Sequence, residues 1–428
     1  MMNIKQIAKN KVVKNAGWII TGKVVQMLLS FFIGILTARY LGPGNYGLIN
    51  YAAAYTSFFA SFCTLGINSV IIKDFVDHPG EEGQAIGSAI MMRFVSSLLS
   101  AGMIIGIVAI VDVQEPLTIA VVSLSTISLL FQIFDTFQYW FQAKLQSKYT
   151  AIATTIAYCI VSAYRILLLV QGKDVRWFAV ANAVDYLAIA GILFVIYRKT
   201  SGPKLFFSLK KGKELLESSK SFILAGMMVS IYACTDRLML KHMLDETQVG
   251  YYALAVSVSN MWGFVLTAII DSMYPVIMKL FHEDKEAFLK RNKQLYAIVF
   301  YMALAASAAI TIFSKLIISL LYGDAYLPAV GPLRIVVWYT AFSYLGVARN
   351  AWIVSEHMQK YLKYIYVGSA CINVILNLFM IPVMGTCGAA LASLITQIST
   401  VLILPYFIKD LRPNAKMMTE AILLRDVF

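Results

Sequence analysis

The chain has 428 residues, 59% of them hydrophobic and only 14% charged, a composition that excludes a soluble globular domain. Its 36 basic and 23 acidic residues leave a net charge of +13, but no soluble segment gathers that excess into a face, which excludes a nucleic-acid-binding protein. Five cysteines at unrelated spacings exclude a disulfide framework and a cysteine-based metal site. The basic start "MMNIKQIAKNKVVKNAGW" runs into an apolar stretch too long for a signal sequence and without a small-residue cleavage site, so it reads as a retained first span. Residues 46–72, 247–270 and 294–314 carry no charge, and each is long enough to cross hydrocarbon, which takes about 20 residues. Residues 364–408 are also uncharged, but "IPVMGTCG" divides them into two spans. Allowing single charges elsewhere gives twelve spans, centred near residues 27, 59, 98, 128, 160, 187, 230, 263, 304, 342, 373 and 398. Alternation of period two is absent, so the spans are helices, which satisfy their own backbone hydrogen bonds in lipid.

The positive charge alternates by loop. With the amino terminus inside, inner segments hold 25 of the 36 basic residues, outer segments hold Arg39, Lys173, Arg176, Lys241 and Lys315, and six lie within spans. This bias places both termini in the cytoplasm. One span too many or too few would invert every later loop and erase the alternation.

The turn "LGPGNYGLINYA" from Leu41 returns as "LDETQVGYYALA" from Leu244, with Gly47 matching Gly250. Each copy follows the first span of a six-span set. Six is even, so the halves keep one orientation and are related by a pseudo-two-fold axis along the membrane normal. The expected organisation is an N-terminal lobe over 1–200, a cytoplasmic linker over 201–218 and a C-terminal lobe with its tail over 219–428. Within the linker region, "KLFFSLKKGKELL" is either an amphipathic surface helix or a solvated connector.

The glycines of the opening turn are hairpin glycines: a phosphate-cradling loop needs a strand before it, a helix after it and a Lys-Ser or Lys-Thr pair. "HEDKE" at His282 lacks the second histidine of a zinc hydrolase. No cofactor or metal is expected.

The segment "NAGWIITGKVVQMLLSFFIGILTARYLGPGNYGLINYA" resembles the first helix pair of Wzx-type polysaccharide-unit flippases, in the multidrug/oligosaccharidyl-lipid/polysaccharide exporter superfamily. "YACTDRLMLKHMLDETQVGYYALA" resembles the seventh helix of the same family, with its Asp-Arg pair. Many members carry two further carboxy-terminal helices, so the correspondence is to a twelve-helix core. The resemblance implies an all-α polytopic membrane protein with two six-helix lobes around a central cavity. It also implies transfer of undecaprenyl-pyrophosphate-linked oligosaccharide from the cytoplasmic to the outer leaflet of the bacterial inner membrane. It implies a monomer, with polysaccharide polymerase and chain-length machinery as candidate partners.

An ionised side chain near mid-bilayer costs at least about 2.5 to 3.5 kcal/mol, so it faces a partner or a wet cavity. Lys23 lies about 12 Å into the first span, where it either lines a cavity or snorkels to the inner surface. Arg334 and Arg349, about 22 Å apart along the tenth span, form a ladder down one wall or snorkel in opposite directions. Arg93 and Arg237 complete the candidate anion-binding set. Asp135, Asp185, Asp236 and Asp271 are ion-coupling candidates, with structural pairing to an arginine as the competing reading. For Asp236 an arginine of the other lobe is the preferred partner and Lys241 the local one. Gln132, Asp135, Tyr139 and Gln142 share one face of the fourth span, so Gln132 and Tyr139 are candidates for contact with sugar. Asn373 and Asn377 make a second polar stripe, serving substrate or interhelical hydrogen bonding.

A cation-coupled drug or metabolite exporter is the alternative function, in which Asp236 and Asp271 carry the role. A membrane enzyme on the same lipid is disfavoured, because the outer loops are too short to build a catalytic site.

Overall fold

The computed structural model describes residues 11–425, with side chains described from residue 26 onward apart from 28, 69, 221, 224, 225 and 232. All the regular structure described is helical. Element α1, Lys11–Thr64, is two helices joined at Gly42, whose φ of 70° and ψ of 171° break the helix where Pro43 follows. Then come α2 (Asn68–Asp77), α3 (Glu82–Val111), α4 (Pro116–Ala143), α5 (Ser147–Val170) and α6 (Val175–Lys199). The second half runs α7 (Leu209–Met243), α8 (Glu246–Asn260), α9 (Gly263–Glu283), α10 (Lys285–Tyr322), α11 (Asp324–Ser355), α12 (Gln359–Met384), α13 (Thr386–Phe407) and α14 (Arg412–Ile422).

Nine described helices are long and apolar enough to cross a membrane: α3 to α6 and α9 to α13. With the two arms of α1 and with α7, this is consistent with the expected twelve spans. Two of the apolar runs are interrupted, and the sequence reading did not foresee it. The run 46–72 breaks between Thr64 and Asn68, where Gly66 takes φ 59°. The run 247–270 breaks between Asn260 and Gly263, where Gly263 packs so closely on the Tyr344 ring that a Cβ would collide with its hydroxyl.

The chain divides into two compact units. Unit 1 is Met1–Leu41 with Tyr51–Ser230, and unit 2 is Gly42–Asn50 with Ile231–Phe428. The core of unit 1 is aromatic, built on Phe75, Phe137, Trp140, Phe141 and Tyr197. Unit 2 packs Leu266, Phe288, Leu295, Tyr296, Leu345 and Trp352 together with Met417, Met418 and Ala421 of the tail helix α14. That helix is also tied by Asn414 Nδ2 donating to Tyr296 Oη at 2.9 Å and by a Lys293–Glu420 ion pair at 2.6 Å. The lysine hydrogen bond holds the Glu420 carboxyl below the usual carboxylate range.

The linker segment is not a helix before Leu209. Residues 202–208 form no regular element and lie along α3 within unit 1, which runs on to Ser230. Within unit 2, the turn that opens the first repeat rests on the turn that opens the second. A Cβ on Gly47 would overlap the Glu246 carbonyl, and one on Gly250 would overlap the Pro43 carbonyl.

Candidate functional site

Asp245 starts the site. As N-cap of α8 its carboxylate accepts from the Gln248 backbone N–H at 2.9 Å, which sends α8 back antiparallel to α7. The hairpin brings Tyr252 of α8 against Asp236 of α7, and the tyrosine hydroxyl donates to Asp236 Oδ2 at 2.5 Å. On α12, Asn373 and Asn377 are four residues apart and so share a face. Their amides donate to Asp236 Oδ1 at 3.2 and 2.7 Å. Ser393 of α13 donates to Oδ2 and lies 3.2 Å from the Tyr252 hydroxyl. Asp236 is 8% exposed and both asparagines are fully buried.

Four neutral donors therefore hold one carboxylate, and among the described residues no cation lies within ion-pair distance of it. Of the two expected partners, Lys241, the local one, pairs with Glu246 at 3.0 Å. Hydrogen bonds of this kind offset the desolvation of a buried carboxylate without neutralising it. The Asn377 side-chain oxygen is buried with no partner among the described residues. Carboxylate, amide and hydroxyl oxygens in one cluster are a hard donor set, suited to a proton or an alkali cation. Among the described residues, no group of three His, Cys, Asp or Glu side chains is placed to hold a metal.

A cavity of about 230 Å³ opens beside the carboxylate, lined among others by Arg237, Ser259, Asn260 and Tyr339. Arg237 is half-buried there. Adjacent residues on a helix differ by about 100° in direction, so Asp236 and Arg237 give this cavity two walls of opposite charge.

Other candidates gather in unit 1. Arg93, 2% exposed, donates from Nη1 to Thr136 Oγ1 at 2.9 Å and from Nη2 to the Gln132 carbonyl at 3.1 Å. Both acceptors flank a 3-10 turn, Ile133–Asp135, that interrupts α4. Asp135 is the principal countercharge acting on Arg93, the neutral Tyr139 phenol lies beside the pair, and Gln138 donates to Asp135 at 2.8 Å. Arg93, Gln132, Asp135 and Tyr139 thus form one cluster, in which Gln132 contributes its backbone carbonyl.

The remaining candidates lie elsewhere. Arg349, 3% exposed, donates from Nη1 to the Thr400 carbonyl at 3.3 Å, inside a π-helical stretch of α13, Ser399–Ile403. Arg334 is exposed and donates from Nε to Ser314 Oγ at 2.9 Å. One arginine is therefore packed inside unit 2 and the other is at its surface. Asp271 is exposed on α9. Asp185 keeps one buried carboxylate oxygen without a partner among the described residues, and Arg165 is the charge nearest in effect. Lys23 lies on α1, and its side chain is outside the described residues.

Sequence reasoning missed Tyr252 and Ser393. Ser393 was detectable: with Thr396 and Thr400 it falls at i, i+3 and i+7 of an otherwise apolar span, a polar stripe of helical period. It also missed Asp112, a buried carboxylate at the end of α3 that accepts from the Tyr51 hydroxyl at 2.8 Å.

Several solved structures share this fold. A lipid II flippase MurJ in an inward closed conformation superposes with a TM-score of 0.68 at 16% identity, over 94% of this chain and 90% of that one. An inward-facing multidrug resistance MATE family transporter of the MOP superfamily gives 0.66 at 15% identity, over 92% and 96%. A MOP superfamily transporter from Pyrococcus furiosus, described by a reversed polarity of its binding pocket, gives 0.57 at 13% identity, over 96% of each chain. Identities this low establish the fold alone. No curated protein matches the sequence. The family model for polysaccharide biosynthesis proteins matches residues 12–281, well over half of the sequence, and the chain is a multi-pass membrane protein belonging to that family.

Proposed function

We propose that the protein is an ion-coupled flippase that moves undecaprenyl-pyrophosphate-linked oligosaccharide units across the bacterial inner membrane, with both termini in the cytoplasm. Membership of the polysaccharide biosynthesis family supports the lipid-linked cargo. The observation that carries the coupling is the buried Asp236 carboxylate, held by four neutral donors and sharing a cavity with Arg237. A carboxylate held in the bilayer by neutral donors, with no ion pair among the described residues, is ready for a mobile cation or proton. Arg237 offers the complementary charge for a phosphate or an acidic sugar. Undecaprenyl remains in lipid, and fixed donors replace the hydration shell of the head group as it crosses, with alternating access provided by the repeat.

The test is complementation of a strain lacking its polysaccharide-unit flippase. Asp236→Asn and Arg237→Gln, at parental protein levels, are expected to abolish surface polymer and to leave lipid-linked units on the inner leaflet. Normal polymer in both variants would sink the proposal. Efflux of a cationic dye that depends on Asp236, with polymer unaffected, would instead identify a drug or metabolite exporter.

A further inference from the structure

The segment 202–208 is bound by its backbone to α3 and to Tyr197 of α6. The Tyr197 hydroxyl donates to the Pro203 carbonyl at 2.5 Å, and the Phe206 N–H donates to the Gly83 carbonyl at 3.4 Å. Ser208 N–H donates to Ser88 Oγ at 3.0 Å, and that hydroxyl donates back to the Ser208 carbonyl at 3.1 Å. Gly83 and Gly87 make the seat: a Cβ on the first would strike the Lys204 carbonyl, and one on the second the Phe206 backbone. At its far end the segment is locked by Lys211, 4% exposed, which bridges Asp74 at 2.8 Å and Glu81 at 3.1 Å.

With its main chain committed, the segment turns its side chains away from the protein. Phe206, Phe207 and Leu209 are 56%, 53% and 63% exposed, and Leu205 is exposed beside them. Lys204, Lys210 and Lys213 are exposed along the same stretch, next to Arg198 and Lys199 at the end of α6, and none of the five has a carboxylate partner among the described residues. Depth follows from the seat. Gly83 to Ser88 are the first two turns of a membrane span, so the segment lies within about 9 Å of that span's end. That is the headgroup level, where aromatic rings and lysines are both favoured.

We propose that this strap is a docking surface for acidic phospholipid headgroups: Phe206, Phe207 and Leu209 enter the acyl boundary while Lys204, Lys210 and Lys213 select anionic lipid. Water alone would leave three large apolar side chains solvated on a backbone already fixed in place. A zwitterionic surface would leave the lysine cluster without its complement. The surface is independent of the Asp236 site, so its fate does not bear on the cargo.

The test uses the purified full-length protein carrying Phe207→Trp, reconstituted in vesicles of phosphatidylcholine and phosphatidylglycerol in which one lipid or the other is brominated. Its quenching is measured as the increment over the parent. Brominated phosphatidylglycerol is expected to quench at least twofold more than brominated phosphatidylcholine. Addition of Lys204→Gln, Lys210→Gln and Lys213→Gln is expected to erase the difference, and 0.5 M salt to reduce it. Leu209→Trp serves as a second reporter if the first does not accumulate. Equal quenching by the two lipids would overturn the proposal. So would absence of quenching by either, which means water or protein covers the strap, or quenching that appears only on dilution of a self-associated form.

Discussion

Asn377 donates to the Asp236 carboxylate at 2.7 Å while its own side-chain oxygen, fully buried, has no partner among the described residues. A buried acceptor left in this state is costly, about 1 to 3 kcal/mol, and a bound cation would relieve it. At equal ionic strength, one of the alkali chlorides is therefore expected to raise the Tm of the purified protein relative to choline chloride, by mass action on the folded state. Asp236→Asn and Asn377→Ala are expected to lose that increment. An unchanged increment in both variants would move the cation site away from this cluster.

The Gly47 and Gly250 backbones approach so closely that each excludes a Cβ on the other's turn. Overpacking of this kind costs about 1 to 3 kcal/mol, and more for a larger side chain. Gly47→Leu and Gly250→Leu are expected to lower Tm by several degrees. Gly44→Ala is the control, because its Cβ meets only the Thr247 hydroxyl at 3.6 Å and is expected to leave Tm unchanged. Size-exclusion profiles and thermal unfolding in detergent read all three.

Arg93 and Arg237 separate structure from transport. Arg93→Met removes the donors to Thr136 and to the Gln132 carbonyl inside unit 1, a loss of about 2 kcal/mol that is expected to reduce protein level and polymer together. Arg237→Gln, at a cavity wall, is expected to keep the protein level and lose polymer. Parallel immunoblots and polymer assays distinguish the two outcomes.

Glu420 gives the tail helix a pH dependence. Its carboxyl is held low by Lys293, so the unfolded tail binds a proton more readily than the docked one. The contribution of this contact is present above the ordinary carboxylate range and is lost as the pH falls through the depressed folded value. Hydrogen exchange in α14 is expected to rise on acidification beyond its intrinsic pH dependence. Glu420→Gln is expected to show the weaker protection at every pH, which identifies the contact.

The membrane spans were legible in the sequence because each is a local matter of length and polarity, and the charge alternation constrained their number. Asp236, Asn373 and Asn377 were legible as polar residues in apolar spans. Their convergence was not, because it depends on how α7, α8, α12 and α13 pack, and helical spacing carries no information on that. Tyr252 went unremarked because a tyrosine in an apolar span reads as packing until a carboxylate is placed beside it. The break at Ile133–Asp135 was hidden for a similar reason: the local sequence "QIFDTFQ" is compatible with continuous helix, and the 3-10 turn is accompanied by a buried arginine from α3. The linker sequence pointed to a helix or a connector, and its second part, from Leu209, is helical; the seating of residues 202–208 was not legible because two of their hydrogen-bond partners, Gly83 and Ser88, lie 120 or more residues away.

The central claim is tested most directly with purified protein in vesicles, by following a fluorescent undecaprenyl-pyrophosphate-linked oligosaccharide from one leaflet to the other as an ion gradient is imposed. Gradient-dependent transfer by the parent protein, reduced at least tenfold in Asp236→Asn at equal reconstitution, is the predicted result. Transfer by Asp236→Asn at the parental rate and with the parental gradient dependence would contradict it.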